Sequence, residues 1–228
     1  QGTLYIKAGE WSTAFDEIQD YSLLEAPTSV HAAVETRLRH LSDPTRQILA
    51  QAAVIGRQFS FDALLTVTGV DESSLLDRLE EAIRAQLVRE VRSVGEDVYE
   101  FAQPMLRQVL YDGLPRRRRR LLHKQVGEAL ETLYGRKPEA YLEALAYHFA
   151  EAEDAEKIVR YGRLAAAKAA AVFAYDGAAK YLQQAITAAE ELDRSADRLE
   201  LMEKLGDLMF AAGKREQTIR AYEDALQF

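Results

Sequence analysis

Five consecutive arginines, Arg116 to Arg120, are the densest charge in this 228-residue chain. Guanidinium groups offer paired N–H donors that match the oxygens of phosphate or carboxylate. On a helix such a run fans around the axis, so only Arg116, Arg119 and Arg120 share a face, extended one turn on by His123. Lying near a helix start, they oppose the helix dipole. Two roles are open to them. One is docking on phosphates or on an acidic surface, including the acidic C-terminal part of the same chain. The other is a solvated face whose arginines pair with nearby carboxylates.

The remaining reactive side chains form no recognisable site. His31, His40, His123 and His148 show neither H-x-x-x-H nor H-E-x-x-H spacing, so no two would meet a metal from one helix face, and no metal ligand is expected. With zero Cys, thiolate catalysis, thiolate metal sites and disulfides are excluded together. There is no G-x-S-x-G nucleophile turn, and no G-x-x-x-x-G-K-[ST] loop to cradle a triphosphate. No catalytic residue is expected. His148, between Tyr147 and Phe149, reads instead as an interhelical residue donating to a carbonyl.

Composition is that of a globular chain, 48% hydrophobic and 29% charged, with a net charge of -8. Residues 1–138 hold 18 Lys+Arg against 20 Asp+Glu, and residues 139–228 hold 11 against 17, so the C-terminal part is the acidic one. That balance argues against general attraction to nucleic acid or to an anionic membrane. No apolar run approaches the roughly 20 residues a spanning helix needs, and no basic segment followed by an apolar one marks a signal peptide. Together with the lack of Cys, this gives a cytoplasmic expectation. A start at Gln1 without Met, and a last repeat that stops at Phe228, read as a piece of a longer protein.

Helix signals begin at Thr28-Ser29, and Val34, Leu38 and Leu41 follow at helical spacing. Asp43-Pro44 opens a helix with the stripe Ile48, Leu49, Ala52, Ala53 and Ile55, closed by Gly56. Ser60 caps a helix ending at Gly69, and Asp71 caps another carrying Leu75, Leu76, Leu79 and Ile83. A single hairpin follows, Leu87–Val91 and Val98–Phe101, with Tyr99 and Phe101 on one face. Everything beyond reads as helix: Pro104 to about Leu114, Pro115 to Tyr134 with Leu122, Val126, Ala129, Leu130 and Leu133 as its stripe, then 139–151, 154–172, 175–192, 196–211 and 215–227.

The last helices carry repeat marks. Leu205-Gly206, Gly213, Tyr222 and Ala225-Leu226 sit where a tetratricopeptide repeat (TPR) places its packing residues, and aligning Ala185 with Ala225 gives a period of 40. Alanine runs such as Ala165–Ala167 and Ala169–Ala171 suit close helix packing. The expected fold is mainly α: a winged-helix-like domain with one β-hairpin, followed by a TPR-like α-α superhelix. Its expected divisions are a tail of an upstream domain at 1–29, the winged-helix-like domain at 30–114, a helical connector at 115–138 and incomplete repeats at 139–228.

Pro27-Thr28-Ser29-Val30, Arg37-Leu38 with Leu41-Ser42, Ala52-Ala53-Val54-Ile55-Gly56-Arg57 with Phe59, and Tyr99-Glu100-Phe101 give the chain a family likeness. So do Tyr111, Arg119, Leu122-His123, Ala129-Leu130-Glu131 and Ala146-Tyr147-His148-Phe149. The chain resembles the region after the nucleotide-binding core of bacterial STAND-class signalling ATPases, which include regulators with LuxR-type DNA-binding domains or fused nucleotidyl cyclase domains. The resemblance implies an upstream P-loop domain holding ATP or ADP, a winged helix that closes over the nucleotide, and repeats that meet a protein or small-molecule inducer. It also implies a nucleotide-sensing His just after the second wing strand. Gln103 stands at that position and can donate a hydrogen bond but carries no positive charge.

On this reading the chain itself is a non-catalytic relay and interaction module without a cofactor of its own. The competing readings are a constitutive scaffold that binds a peptide or protein, and a DNA-binding winged-helix transcription factor. The helix before the hairpin argues against the latter, with Asp71, Glu72, Asp77, Glu80 and Glu81 against Arg78 and Arg84.

Overall fold

The computed structural model describes residues 4–7, 10–13, 34, 36–93, 95–135 and 138–227. The fold is mainly helical with a small three-stranded antiparallel sheet, and it separates into two compact units, residues 1–40 and 41–228. In the first unit, β1 (Leu4–Lys7) and β2 (Glu10–Thr13) pair antiparallel, with the backbone of Ile6 in register with that of Trp11. Both segments contain the β-branched and aromatic residues that favour strands. The expected helix start at Thr28-Ser29 lies outside the described residues.

The second unit opens with α1 (Asp43–Ile55), capped twice over. Ser42 Oγ accepts from the Thr45 N–H at 3.4 Å. The Glu81 carboxylate, reaching from another helix, accepts from Ser42 N–H at 2.7 Å, from Ser42 Oγ at 2.8 Å and from Thr45 Oγ1. These donors hold Glu81 below the usual carboxylate range, the Ser42 backbone N–H being the largest cause. Strand β3 (Gln58–Ser60), α2 (Phe61–Thr68) and α3 (Glu72–Arg84) follow, with Ser60 and Asp71 as side-chain caps, as their sequence positions predict.

The expected hairpin forms as β4 (Val88–Val91) and β5 (Val98–Phe101), but β5 is central, because β3 pairs along its other edge with Phe59 opposite Tyr99. Tyr99 and Phe101 do share a buried face, packed on Phe59. Glu100, on the other face, is buried as well, held between Gln58 of β3 at 2.9 Å and Arg89 of β4. On α3 the expected stripe is half right: Leu75 and Leu79 are buried with Ala82, whereas Leu76 and Ile83 face outward.

Helices complete the chain: α4 (Pro104–Asp112), α5 (Arg116–Tyr134), a 3-10 turn (Pro138–Ala140), α6 (Leu142–Glu151), α7 (Ala155–Ala171), α8 (Tyr175–Glu191), α9 (Ser195–Ala211) and α10 (Arg215–Leu226). Each helix from α5 onward packs on the next. The period of 40 resolves into a finer one. Asp154, Ala174, Arg194 and Lys214, twenty residues apart, are the N-caps of α7 to α10, and each follows a left-handed residue: Glu153, Phe173, Asp193 and Gly213. At each turn the left-handed residue donates to the carbonyl three back and the next residue to the carbonyl five back, as Phe173 to Ala170 and Ala174 to Ala169 do. The orphan carbonyls of one helix are thereby satisfied while the next is started.

Two of the clusters of buried residues in this unit run along the later helices. One joins Val54 of α1 and Val67 of α2 to Leu122, Val126 and Leu130 of α5, Leu145 and Phe149 of α6, and Ala165 of α7. The other, rich in alanine, joins Ala166 of α7 to Ala178, Leu182 and Ala185 of α8 and to Leu201 and Met209 of α9. Close approach is enforced by Gly127, where a Cβ would meet the buried Phe149 ring at 2.7 Å, and by Gly206, where it would meet Tyr222 at 2.5 Å.

Candidate functional site: a buried histidine pair beneath an arginine-walled cavity

His123 lies in the apolar stripe of α5, beside Leu122 and one turn from Val126, and His148 lies in that of α6 beside Phe149. The packing of α5 on α6 therefore drives both imidazoles inside, where they are 0% and 2% exposed. Their Nδ1 atoms stand 2.9 Å apart. His123 Nε2 is 3.0 Å from Tyr111 Oη of α4, Tyr147 of α6 bonds Tyr111, and the His148 ring bonds the backbone of Ile55 at the end of α1.

Elementary bonding rules fix the protons along this chain. A carbonyl only accepts, so His148 directs its N–H to Ile55 and presents Nδ1 to His123 as an acceptor. His123 then carries its proton on Nδ1, its Nε2 accepts from the Tyr111 hydroxyl, and the Tyr111 oxygen accepts from Tyr147. Burial pushes both imidazoles below their ordinary value, His123 to about 4 with help from Arg107 and Arg119, and His148 to about 3 with help from His123 and Arg107, while the bond to Ile55 opposes the fall. Burial raises Tyr147 to about 12, and its bond to Tyr111 adds to that rise. Both imidazoles and Tyr147 are neutral at pH 7, and the four links tie α1, α4, α5 and α6 together.

The expected arginine face lies directly above. Arg119 stands over the Tyr111 ring at 5.1 Å and Arg107 at 5.6 Å, with Arg107 Nε donating to the Ala53 carbonyl at 2.9 Å. Arg116 and Arg120 pair with opposite oxygens of Glu153, at 3.0 and 2.8 Å, and Arg120 Nε donates to the Ala152 carbonyl at 2.9 Å. Arg116, Arg119, Arg120 and His123 thus share one face, and it docks on the turn between α6 and α7. With Tyr111, Ala150, Glu151 and Glu153 they enclose a cavity of about 320 Å3. Gln103 is not among its lining residues. It is the exposed N-cap of α4, its side chain makes no capping bond, and Pro104 fills the first helical position.

His148 is an interhelical donor to a carbonyl, as expected, but it is fully rather than partly buried. Its partnership with His123 and Tyr111 was not foreseen, because the three are far apart in sequence and each sits among ordinary apolar neighbours. One signal was present: a His on the buried stripe of each of two consecutive helices. Among the described residues no group of three or more His, Cys, Asp or Glu could hold a metal ion, and no helix is long and apolar enough to cross a membrane. The chain matches no family model, no curated protein and no solved structure.

Proposed function

We propose that this chain is a non-catalytic relay and interaction module of a signal-transduction ATPase, in which a winged-helix-like part (30–114) passes a nucleotide-dependent movement through α5 to a TPR-like array. The observation that carries this reading is the hydrogen-bonded chain Ile55–His148–His123–Tyr111–Tyr147, centred on the two buried imidazoles, which ties the end of α1 to α4, α5 and α6 with every proton assigned. A directional polar network in a dry core tolerates few alternative geometries, so a shift of α1 is passed to α5 and α6 instead of being absorbed. The twenty-residue helix period supports the TPR-like assignment, and the three helices α1–α3 with the three-stranded sheet of β3, β4 and β5 support the winged-helix-like one. On this reading, ATP or ADP belongs to an upstream P-loop domain, and a protein or small-molecule inducer belongs to the array.

Limited proteolysis of the parent polypeptide around Leu114, between α4 and α5, tests this. Cleavage that differs between ATP and ADP is the expected result, whereas identical cleavage favours a constitutive scaffold. The exposed acids of α3, Glu72, Asp77 and Glu80, speak against DNA contact by that helix.

A further inference from the structure

The cavity walled by Arg116, Arg119 and Arg120 is unbalanced in charge. Among the described residues around it, four guanidinium groups, counting Arg107 over Tyr111, stand against two carboxylates, Glu151 and Glu153. Glu153 engages Arg116 and Arg120. Among the described residues Arg119 has no carboxylate partner: its guanidinium lies over Tyr111, and its Nε, like that of Arg163 in α7, is buried without a hydrogen-bond acceptor. A buried N–H of a charged group left unpaired is costly, and native proteins keep few of them without a reason. The floor cannot supply an acceptor, because both nitrogens of His123 are engaged, by Tyr111 and by His148.

We propose that this cavity is a binding site for a small phosphate-bearing anion, received by the guanidinium groups of Arg119 and Arg116 beside Glu153. The charge excess of two matches a phosphate dianion, and planar guanidinium donors suit its oxygens. A volume of about 320 Å3 falls at the lower end of the range for small-molecule pockets, larger than one phosphate group needs. Bound there, the anion lies against Arg119, which lines the cavity and has no carboxylate partner among the described residues. It also touches the wall formed by Tyr111, so occupancy is felt by the histidine pair. The site stands independently of the nucleotide relay, since it is complete within this chain.

Calorimetric titration of the 228-residue chain with inorganic pyrophosphate at pH 7 and low salt tests the assignment, with circular dichroism as a check on folding. One pyrophosphate per chain is expected, with affinity lowered roughly tenfold or more in Arg119→Gln. Arg119→Lys, which keeps the charge and loses the planar fork, also weakens binding, and Glu153→Gln tightens it by removing the competing carboxylate. Lys214→Gln, at the start of α10, changes nothing. Sulfate binding as tightly as pyrophosphate, or indifference to both Arg119 variants, marks an adventitious ion only and overturns the proposal. Citrate outcompeting pyrophosphate overturns the phosphate assignment.

Discussion

The junction of α1, α4, α5 and α6 and the array from α7 to α10 both hold helices side by side, but with opposite chemistry. At the junction two imidazoles are buried among Leu122, Val126 and Phe149, linked to the Ile55 carbonyl and to the half-buried Tyr111 phenol, and each ring nitrogen has one permitted partner. In the array the contacts are made by small apolar residues, Ala166, Ala178, Ala185 and Ala189 among them, and polar pairing is left to exposed ladders such as Arg194 to Glu156 at 3.0 Å. Apolar contacts are non-directional and tolerate repacking. Hydrogen bonds in a dry core are directional, and the loss of one partner strands the others. The junction therefore fixes one geometry, and the array supplies surface that tolerates variation.

That contrast can be broken at its strong end first. His148→Leu leaves the His123 N–H and the Ile55 carbonyl unpaired and should cost about 3 kcal/mol in urea unfolding at pH 7. Acid should attack the same place. Below pH 6.5 the unfolded chain takes up protons at His123 and His148 that the folded chain refuses until about 4 and 3. The unfolded state then binds more protons, so stability falls as pH is lowered from 6.5 toward 4, by roughly 2 kcal/mol per pH unit for the pair. His148→Leu should lose about half of that slope.

Packing on the junction side is next in size. Gly127→Ala drives a Cβ into the buried Phe149 ring and should destabilise by about 2 kcal/mol, despite the better helix propensity of alanine. In the array the smallest effect should have the opposite sign. Phe173 is 75% exposed and held at φ 61, where a Cβ is strained, so Phe173→Gly should stabilise by about 0.5–1 kcal/mol in thermal unfolding.

The array was the more legible region. Its helices fall within one or two residues of the expected bounds, because amphipathic spacing and turns every twenty residues are local signals. The caps Ser60 and Asp71 and the strands of the Gly95 hairpin were legible for the same reason. Strand β3 was not, since three residues show no periodicity and its pairing with β5 is a contact 42 residues long. The site divides in the same way. The shared face of Arg116, Arg119, Arg120 and His123 follows from helix geometry alone, whereas the carboxylate that meets it, Glu153, and the phenol beneath it, Tyr111, are brought in by tertiary packing.

Hydrogen exchange on the chain with and without His148→Leu tests most directly whether the junction couples its helices. The network described here predicts a joint loss of amide protection in α1, α5 and α6, with the amides of α9 and α10 changed little. Loss confined to α6, with α1 protected as before, would contradict it.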